Sequence, residues 1–81
     1  MVETTMEVAL IEQRVRDKIV SLRKERQLTQ EAFDTEPDAI PVRTIQRYEQ
    51  AENPNIELKT LIKIAAKLGV HPAELLKVDL D

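Results

Sequence analysis

Four prolines and one glycine divide this chain of 81 residues into segments, and within each segment apolar residues recur at helical spacing. The first segment predicts a long amphipathic helix over about residues 5 to 26, opened by a capping pattern at Thr4 and Glu7. With one glycine and few aromatic residues, the composition also favours an all-helical fold. The stripe of the first helix consists of Val8, Ile11, Val15, Ile19 and Leu22.

Two short helices are predicted next. Thr29 is a suitable N-cap for the second helix, with Leu28 placed to pack against Phe33, and Pro37 ends this helix. Pro41 then stands where proline is favoured, at the first position of a third helix. On the third helix the apolar residues predicted to face inward are Ile45 and Tyr48, and the outward positions are Val42, Arg43, Gln46 and Arg47.

A stronger apolar stripe predicts a fourth helix over residues 56 to 68, with Asn55 as its cap and Gly69 as the glycine that ends it. Pro72 opens a last short helix. The expected fold is therefore all-α, with five helices. The residues expected in the core from these two helices are Leu58, Leu61, Ile64, Ala65, Leu68, Leu75 and Leu76.

Length and charge limit the functional classes. The chain fits one small domain, has no cysteine, no basic-apolar leader and no apolar run of the ~20 residues that span a bilayer, so we expect a cytoplasmic protein with no membrane contact. The net charge is −3, which is unusual for a nucleic-acid binder, but the charge is uneven. Residues 14–26 carry a local +4 and residues 30–38 a local −4.

Several motifs occur together in a fixed order: L-T-Q at 28–30, T-I-x-R-x-E at 44–49, N-P at 53–54 and L-x-x-L-x-x-I-A-x-x-L-G-V at 58–70. In this order and spacing they resemble the Cro/CI-type helix-turn-helix of the lambda-repressor-like, or XRE, family. The resemblance covers about residues 19 to 76. It implies a lambda-repressor-like DNA-binding domain in which the helix after Pro41 enters the major groove of double-stranded DNA.

The resemblance places four residues at base-reading positions: Val42, Arg43, Gln46 and Arg47. Chemistry agrees, because arginine can hold guanine with two donors, glutamine can pair with adenine, and valine can touch a thymine methyl group. Three further positions match phosphate contacts of the family: Gln30, Thr44 and Asn53. Arg23 and Glu49 occupy positions that often pair across helices in this family.

Three departures from the family pattern concern the turn before the third helix. Asp34 stands where a small residue is usual, Ala39 where a glycine is usual, and the span from Thr29 to Glu49 is one residue longer. The simplest accommodation is a second helix that ends near Thr35, followed by a longer turn that leaves Asp34 at the rim of the domain.

The expected organisation is an N-terminal helical extension (1–14), a helix-turn-helix domain (15–78, with the motif at roughly 29–50) and an acidic tail (79–81). The sequence predicts a sequence-specific transcriptional regulator that binds an operator as a homodimer. The alternative is a protein-interaction module such as an antitoxin or a partner-dependent adaptor. An enzyme is not expected, because one His, one Ser and no Cys provide no nucleophile–base set, and no metal site or cofactor is expected.

Overall fold

The structure is a computed structural model that describes residues 4–50 and 55–78, with side chains from Glu7 onward. Within these ranges the chain is helical and has no strand, which confirms the all-α class. The predicted count of five helices is not confirmed, since the described residues form four α-helices and one 3₁₀ helix. In chain order these are α1 (Thr4–Glu25), the 3₁₀ helix (Gln30–Phe33), α2 (Val42–Gln50), α3 (Leu58–Leu68) and α4 (Pro72–Leu76).

The predicted second helix is the 3₁₀ helix, and it is only four residues long. Thr29 precedes it in an extended conformation but makes no capping hydrogen bond with its side chain, so the predicted side-chain cap is wrong. The amide of Asp34 donates to the carbonyl of Glu31, and the amide of Ile40 donates to the carbonyl of Phe33 at 2.8 Å. That second bond closes a loop over residues 34–39, so the chain has no room for further helical turns.

The closed loop accommodates two of the three departures noted in the sequence, Asp34 and Ala39. Asp34 is exposed, so its carboxylate stays in water as predicted. The left-handed conformation is adopted by Asp38, with φ 60°, and not by Ala39. Aspartate tolerates this conformation better than most residues do. The loop therefore needs no glycine.

Lys67 of α3 fills the inside of this loop. Its ammonium group donates to the carbonyl oxygens of Thr35 and Pro37 and to the hydroxyl of Thr35, with the Pro37 contact at 2.7 Å. An ammonium group has three N–H donors, and all three have acceptors here. Lys67 thus links α3 to the segment that leads into α2.

The core lies between the C-terminal part of α1, the 3₁₀ helix, α2, α3 and α4. Phe33 and Ile45 are almost fully buried in it, and Ile45 lies on the face of the third predicted helix that was expected to point inward. No charged side chain is buried in the described residues. The core residues are Val15, Ile19, Phe33, Ile40, Ile45, Tyr48, Leu61, Ile64, Ala65, Leu68 and Leu75.

Two leucines predicted to be core residues are exposed. Leu58 is 68% exposed, because the chain is still extended at Glu57 and Ile56 packs against the core in its place. The fourth predicted helix consequently begins at Leu58, and Asn55 is not its cap. Leu76 is 53% exposed, since in a helix of five residues only one of two consecutive leucines can face the core.

Left-handed residues end two of the helices. Gly69 has φ 72°, and the amides of Gly69 and Val70 donate to the carbonyls of Ala66 and Ala65, which confirms the predicted Schellman motif. The same pair of bonds ends α1, where the left-handed residue is Gln27 with φ 57°. A side chain at this position carries a conformational cost that glycine would not have.

The starts of the last helices differ slightly from prediction. Pro41 lies just before α2, and its carbonyl accepts the amides of Thr44 and Ile45, so it is the cap and not the first helical residue. Pro72 does open α4, and His71 caps that helix through Nδ1, which accepts from the amide of Ala73. The predicted capping pattern at Thr4 lies outside the described side chains.

Candidate nucleic-acid interface

The outward face of α2 carries the residues that the sequence assigns to base reading. Arg43, Gln46 and Arg47 are exposed and Val42 is half-buried, while Ile45 and Tyr48 hold the opposite face in the core. The two arginines are one helical turn apart, which is about 6 Å along the axis. A helix that is anchored on one side and cationic on the other has the width and the donors that a major groove accepts.

Within residues 4–50 and 55–78, no acid forms a salt bridge with either of these two guanidinium groups. Among the described residues, Arg43 has no hydrogen-bond or ion-pair partner. The guanidinium carbon of Arg47 lies 5.5 Å from the centre of the Tyr48 ring, a cation–π contact that leaves its N–H donors available. Both cations can therefore meet an external acceptor without first breaking an internal salt bridge.

Glu49, at the other end of α2, joins three segments. Its Oε2 accepts from Nε of Arg23 at 2.8 Å, and its Oε1 accepts from Nη2 of Arg23 at 3.0 Å and from Nε2 of Gln30 at 2.9 Å. Arg23 also donates to the carbonyl of Leu28 at 2.9 Å. The predicted pairing of Arg23 with Glu49 is therefore present, and it fixes α2 against α1 and the 3₁₀ helix.

The three residues predicted to contact phosphates have different surroundings. Gln30 is half-buried, and its side-chain amide donates to Glu49, so it has a role inside the protein that the sequence did not indicate. Thr44 is half-buried in the first turn of α2. Asn53 lies outside the described residues. Contacts of these three residues with DNA stay predictions.

Acidic residues lie next to this interface. Glu31, Asp34, Glu36 and Asp38 are all exposed in the 3₁₀ helix and the following loop. A negative potential here opposes the approach of a polyanion, and it falls off over about 8–10 Å at physiological salt. The cationic face of α2 must therefore act at short range, which favours a few well-placed contacts over general attraction to DNA.

The described part of the chain offers little for other chemistries. No helix in it has the length and apolar content that crossing a bilayer requires. Among the same residues, no group of three His, Asp or Glu side chains is arranged to hold a metal ion.

Comparison with known proteins identifies the class. The helix-turn-helix family model matches residues 19–75, well over half of the chain, and this span contains the 3₁₀ helix and α2. The chain belongs to the helix-turn-helix family of the Cro/CI type, a family of DNA-binding domains and not of enzymes. Neither the curated proteins nor the solved structures gave a significant match.

Proposed function

We propose that this protein is a transcriptional regulator that recognises a specific DNA sequence by placing α2 in the major groove. Arg43, Gln46 and Arg47 contact base edges, with Val42 against a thymine methyl group. Gln30, Thr44 and Asn53 contact phosphates and set the register of the helix on the duplex.

The observation that supports this proposal most strongly is the freedom of Arg43 and Arg47 on a helix that is otherwise fixed. Tyr48 and Ile45 bury one face of α2, and the Arg23–Glu49 pair holds its end. A rigid helix presents its donors without losing much conformational entropy on binding, and this loss is a main cost of recognition. The arrangement suits recognition of particular bases.

The protein is further proposed to bind as a homodimer to two half-sites. A single small module buries limited DNA surface, and two modules spaced by one DNA turn, about 34–36 Å, reach useful affinity. Exposed apolar side chains are available for self-association, since Val8 is 49% exposed at the start of α1 and Leu76 lies at the C-terminal end. The segment 1–14 is then an association element and not part of the DNA-reading domain.

Selection of sites from a random DNA library with the purified protein tests the proposal. The expected result is a motif of two similar halves whose centres are about 10 base pairs, or a multiple of that, apart. Recovery of unrelated sequences would contradict base reading, and recovery of isolated half-sites would contradict the dimer while leaving α2 as the reading helix.

A second candidate function is binding of a basic protein, as an antitoxin or adaptor would do. The observation in its favour is the row of exposed acids from Glu31 to Asp38, which no base of the same segment neutralises. A protein can have both functions, because these acids lie on the loop before α2 and not on its arginine face.

A further inference from the structure

The two ends of α2 are held by different contacts. At the C-terminal end, Glu49 accepts two hydrogen bonds from Arg23, at 2.8 and 3.0 Å. At the N-terminal end, where Arg43 lies, no side chain of residues 42–44 makes a hydrogen bond within the described part of the chain. The position of this end therefore depends on apolar packing and on the loop over residues 34–39 that leads into it.

Lys67 is the side chain that fixes this loop. Its ammonium group donates to the carbonyls of Thr35 and Pro37, the latter at 2.7 Å, and to the hydroxyl of Thr35 at 3.1 Å. The same hydroxyl donates to the carbonyl of Ala32 at 3.1 Å, so the network continues into the 3₁₀ helix. Within residues 4–50 and 55–78, no other side chain from outside the loop donates to it. One ammonium group thus ties the loop to α3.

The support behind Lys67 is the buried face of α3. Ile64, Ala65 and Leu68 of this helix are at most 2% exposed. A side chain that extends from a fixed helix transmits the position of that helix to the segment that it binds, and α2 begins shortly after the last of the acceptors. The start of α2 is consequently placed relative to α3.

The length of α2 determines which arginine depends on this contact. The helix has nine residues and is about 14 Å long. If its first turn shifts while Glu49 stays bound to Arg23, the helix turns about its C-terminal end, so Arg43 moves further than Arg47. Side chains that recognise a ligand need to be held within about 0.5 Å of the productive geometry. A small shift of the loop is therefore felt first at Arg43.

We infer that Lys67 is a positioning residue for DNA recognition. It contacts groups of the protein and not DNA, and it determines where Arg43 stands relative to the base edges, while Arg47 depends mainly on the Arg23–Glu49 pair. The inference rests on the proposed function. It makes the preference for one particular base depend on α3, a helix with no part in the proposed contact with DNA.

The positive charge of Lys67 has a separate effect on binding. The acids Asp34, Glu36 and Asp38 of the loop are exposed, and a cation beside them offsets part of their negative potential. Loss of this charge weakens the binding of every duplex to a similar degree, because the phosphate backbone is the same in all sequences. A displaced Arg43 instead lowers the discrimination among bases at one position. Comparison of sequences therefore separates the two effects.

Relative affinities for every single-base variant of one selected half-site test the inference. Ratios are taken within each protein, so that a change in the folded fraction or in the general attraction to DNA cancels. Arg43→Ala and Arg47→Ala first assign the base position that each arginine contacts. We expect Lys67→Met to lower the preference for the best base at least about threefold at the Arg43 position and less than about twofold at the Arg47 position.

Three further variants serve as matched controls. Lys63→Met removes the same charge one turn earlier on α3, from a side chain with no hydrogen bond or ion pair among the described residues, and should keep the base preferences of the wild type. Thr35→Val removes the hydroxyl that Lys67 binds without changing the charge, so it should lower the preference at the Arg43 position to a smaller extent. Lys67→Arg keeps a cationic donor and should retain most of that preference.

Each outcome supports or overturns a stated claim. Selective loss at the Arg43 position, with Lys63→Met like the wild type, supports the inference. Preferences of Lys67→Met that are unchanged, or that fall equally at all positions or equally in Lys63→Met, overturn the inference and leave the proposed regulator intact. A wild type without base preference, or one in which Arg43→Ala assigns no position, overturns base reading by Arg43 and this inference with it.

Discussion

Arg23 and Glu49 form a two-pronged ion pair that joins the end of α1 to the end of α2, with N–O distances of 2.8 and 3.0 Å. Little solvent reaches it, since the side chains are 14% and 9% exposed. A partly buried pair of this kind contributes little net stability, but the removal of one partner leaves an uncompensated charge. The pair therefore determines the position of α2 relative to α1 and adds little to the stability of the domain.

The first prediction follows from that pair. Glu49→Ala should lower the free energy of unfolding by about 3 kcal/mol. Arg23 and the side-chain amide of Gln30 would both lose their hydrogen-bond acceptor at a site that is largely shielded from solvent. Urea unfolding measures it. The matched variant Arg23→Met/Glu49→Leu should lose clearly less, because it removes both charges together. Equal losses of unfolding free energy in the two variants would show that the unpaired charge of Arg23 is not the cause of the destabilisation.

The second prediction concerns the loop before α2. Lys67→Met removes three donors from the carbonyls and hydroxyl of residues 35–37, so the closed loop should open more often. We expect faster hydrogen exchange at the amide of Ile40, whose bond to Phe33 closes the loop, and a loss of stability of about 1–2 kcal/mol. Lys67→Arg keeps a cation and should show a smaller change. Unchanged exchange at Ile40 in Lys67→Met would contradict this role.

The third prediction compares the two left-handed helix ends. Gly69→Ala should destabilise the protein by about 1 kcal/mol through backbone conformation alone, because an added Cβ meets nothing within 4 Å. Gln27→Gly should have the opposite sign and stabilise by up to about 1 kcal/mol, since Gln27 adopts the same conformation at the end of α1. Thermal unfolding compares both with wild type. A destabilising Gln27→Gly would mean that its side chain contributes more than the backbone strain costs.

The fourth prediction concerns the salt dependence of DNA binding. Affinity for the selected DNA should fall steeply with salt, with a slope of log K against log salt of about −0.9 for each phosphate neutralised. A slope near zero would point to an apolar contact and not to a duplex.

The sequence predicted the helical class and the two faces of α2 because both depend on local spacing. Proline before α2 and inward Ile45 and Tyr48 leave the arginines only the outer face. The 3₁₀ helix was not predicted, because its brevity depends on the Phe33–Ile40 bond that closes the following loop. Lys67 was missed for a related reason, since it meets residues about 30 positions earlier and no local pattern reports such a contact.

Exposure of Leu58 and Leu76 shows where periodicity is insufficient. At the end of a helix the chain before or after it can occupy the core position, as Ile56 does, and the pattern alone does not say which residue does so. The link from Gln30 to Glu49 is a further case, because a residue assigned to DNA by resemblance also makes a hydrogen bond inside the protein.

The central claim is that Arg43 contacts the edge of one particular base, because α2 is fixed in the domain with its arginine face outward. The most direct test measures the affinity of wild type and Arg43→Ala for the selected site and for each single-base variant of one half-site, with Lys24→Ala as a control for loss of an exposed cation. The account predicts that Arg43→Ala loses about 1–3 kcal/mol on the selected site and no longer distinguishes the bases at one position. An equal loss on every sequence, matching that of Lys24→Ala, would contradict it.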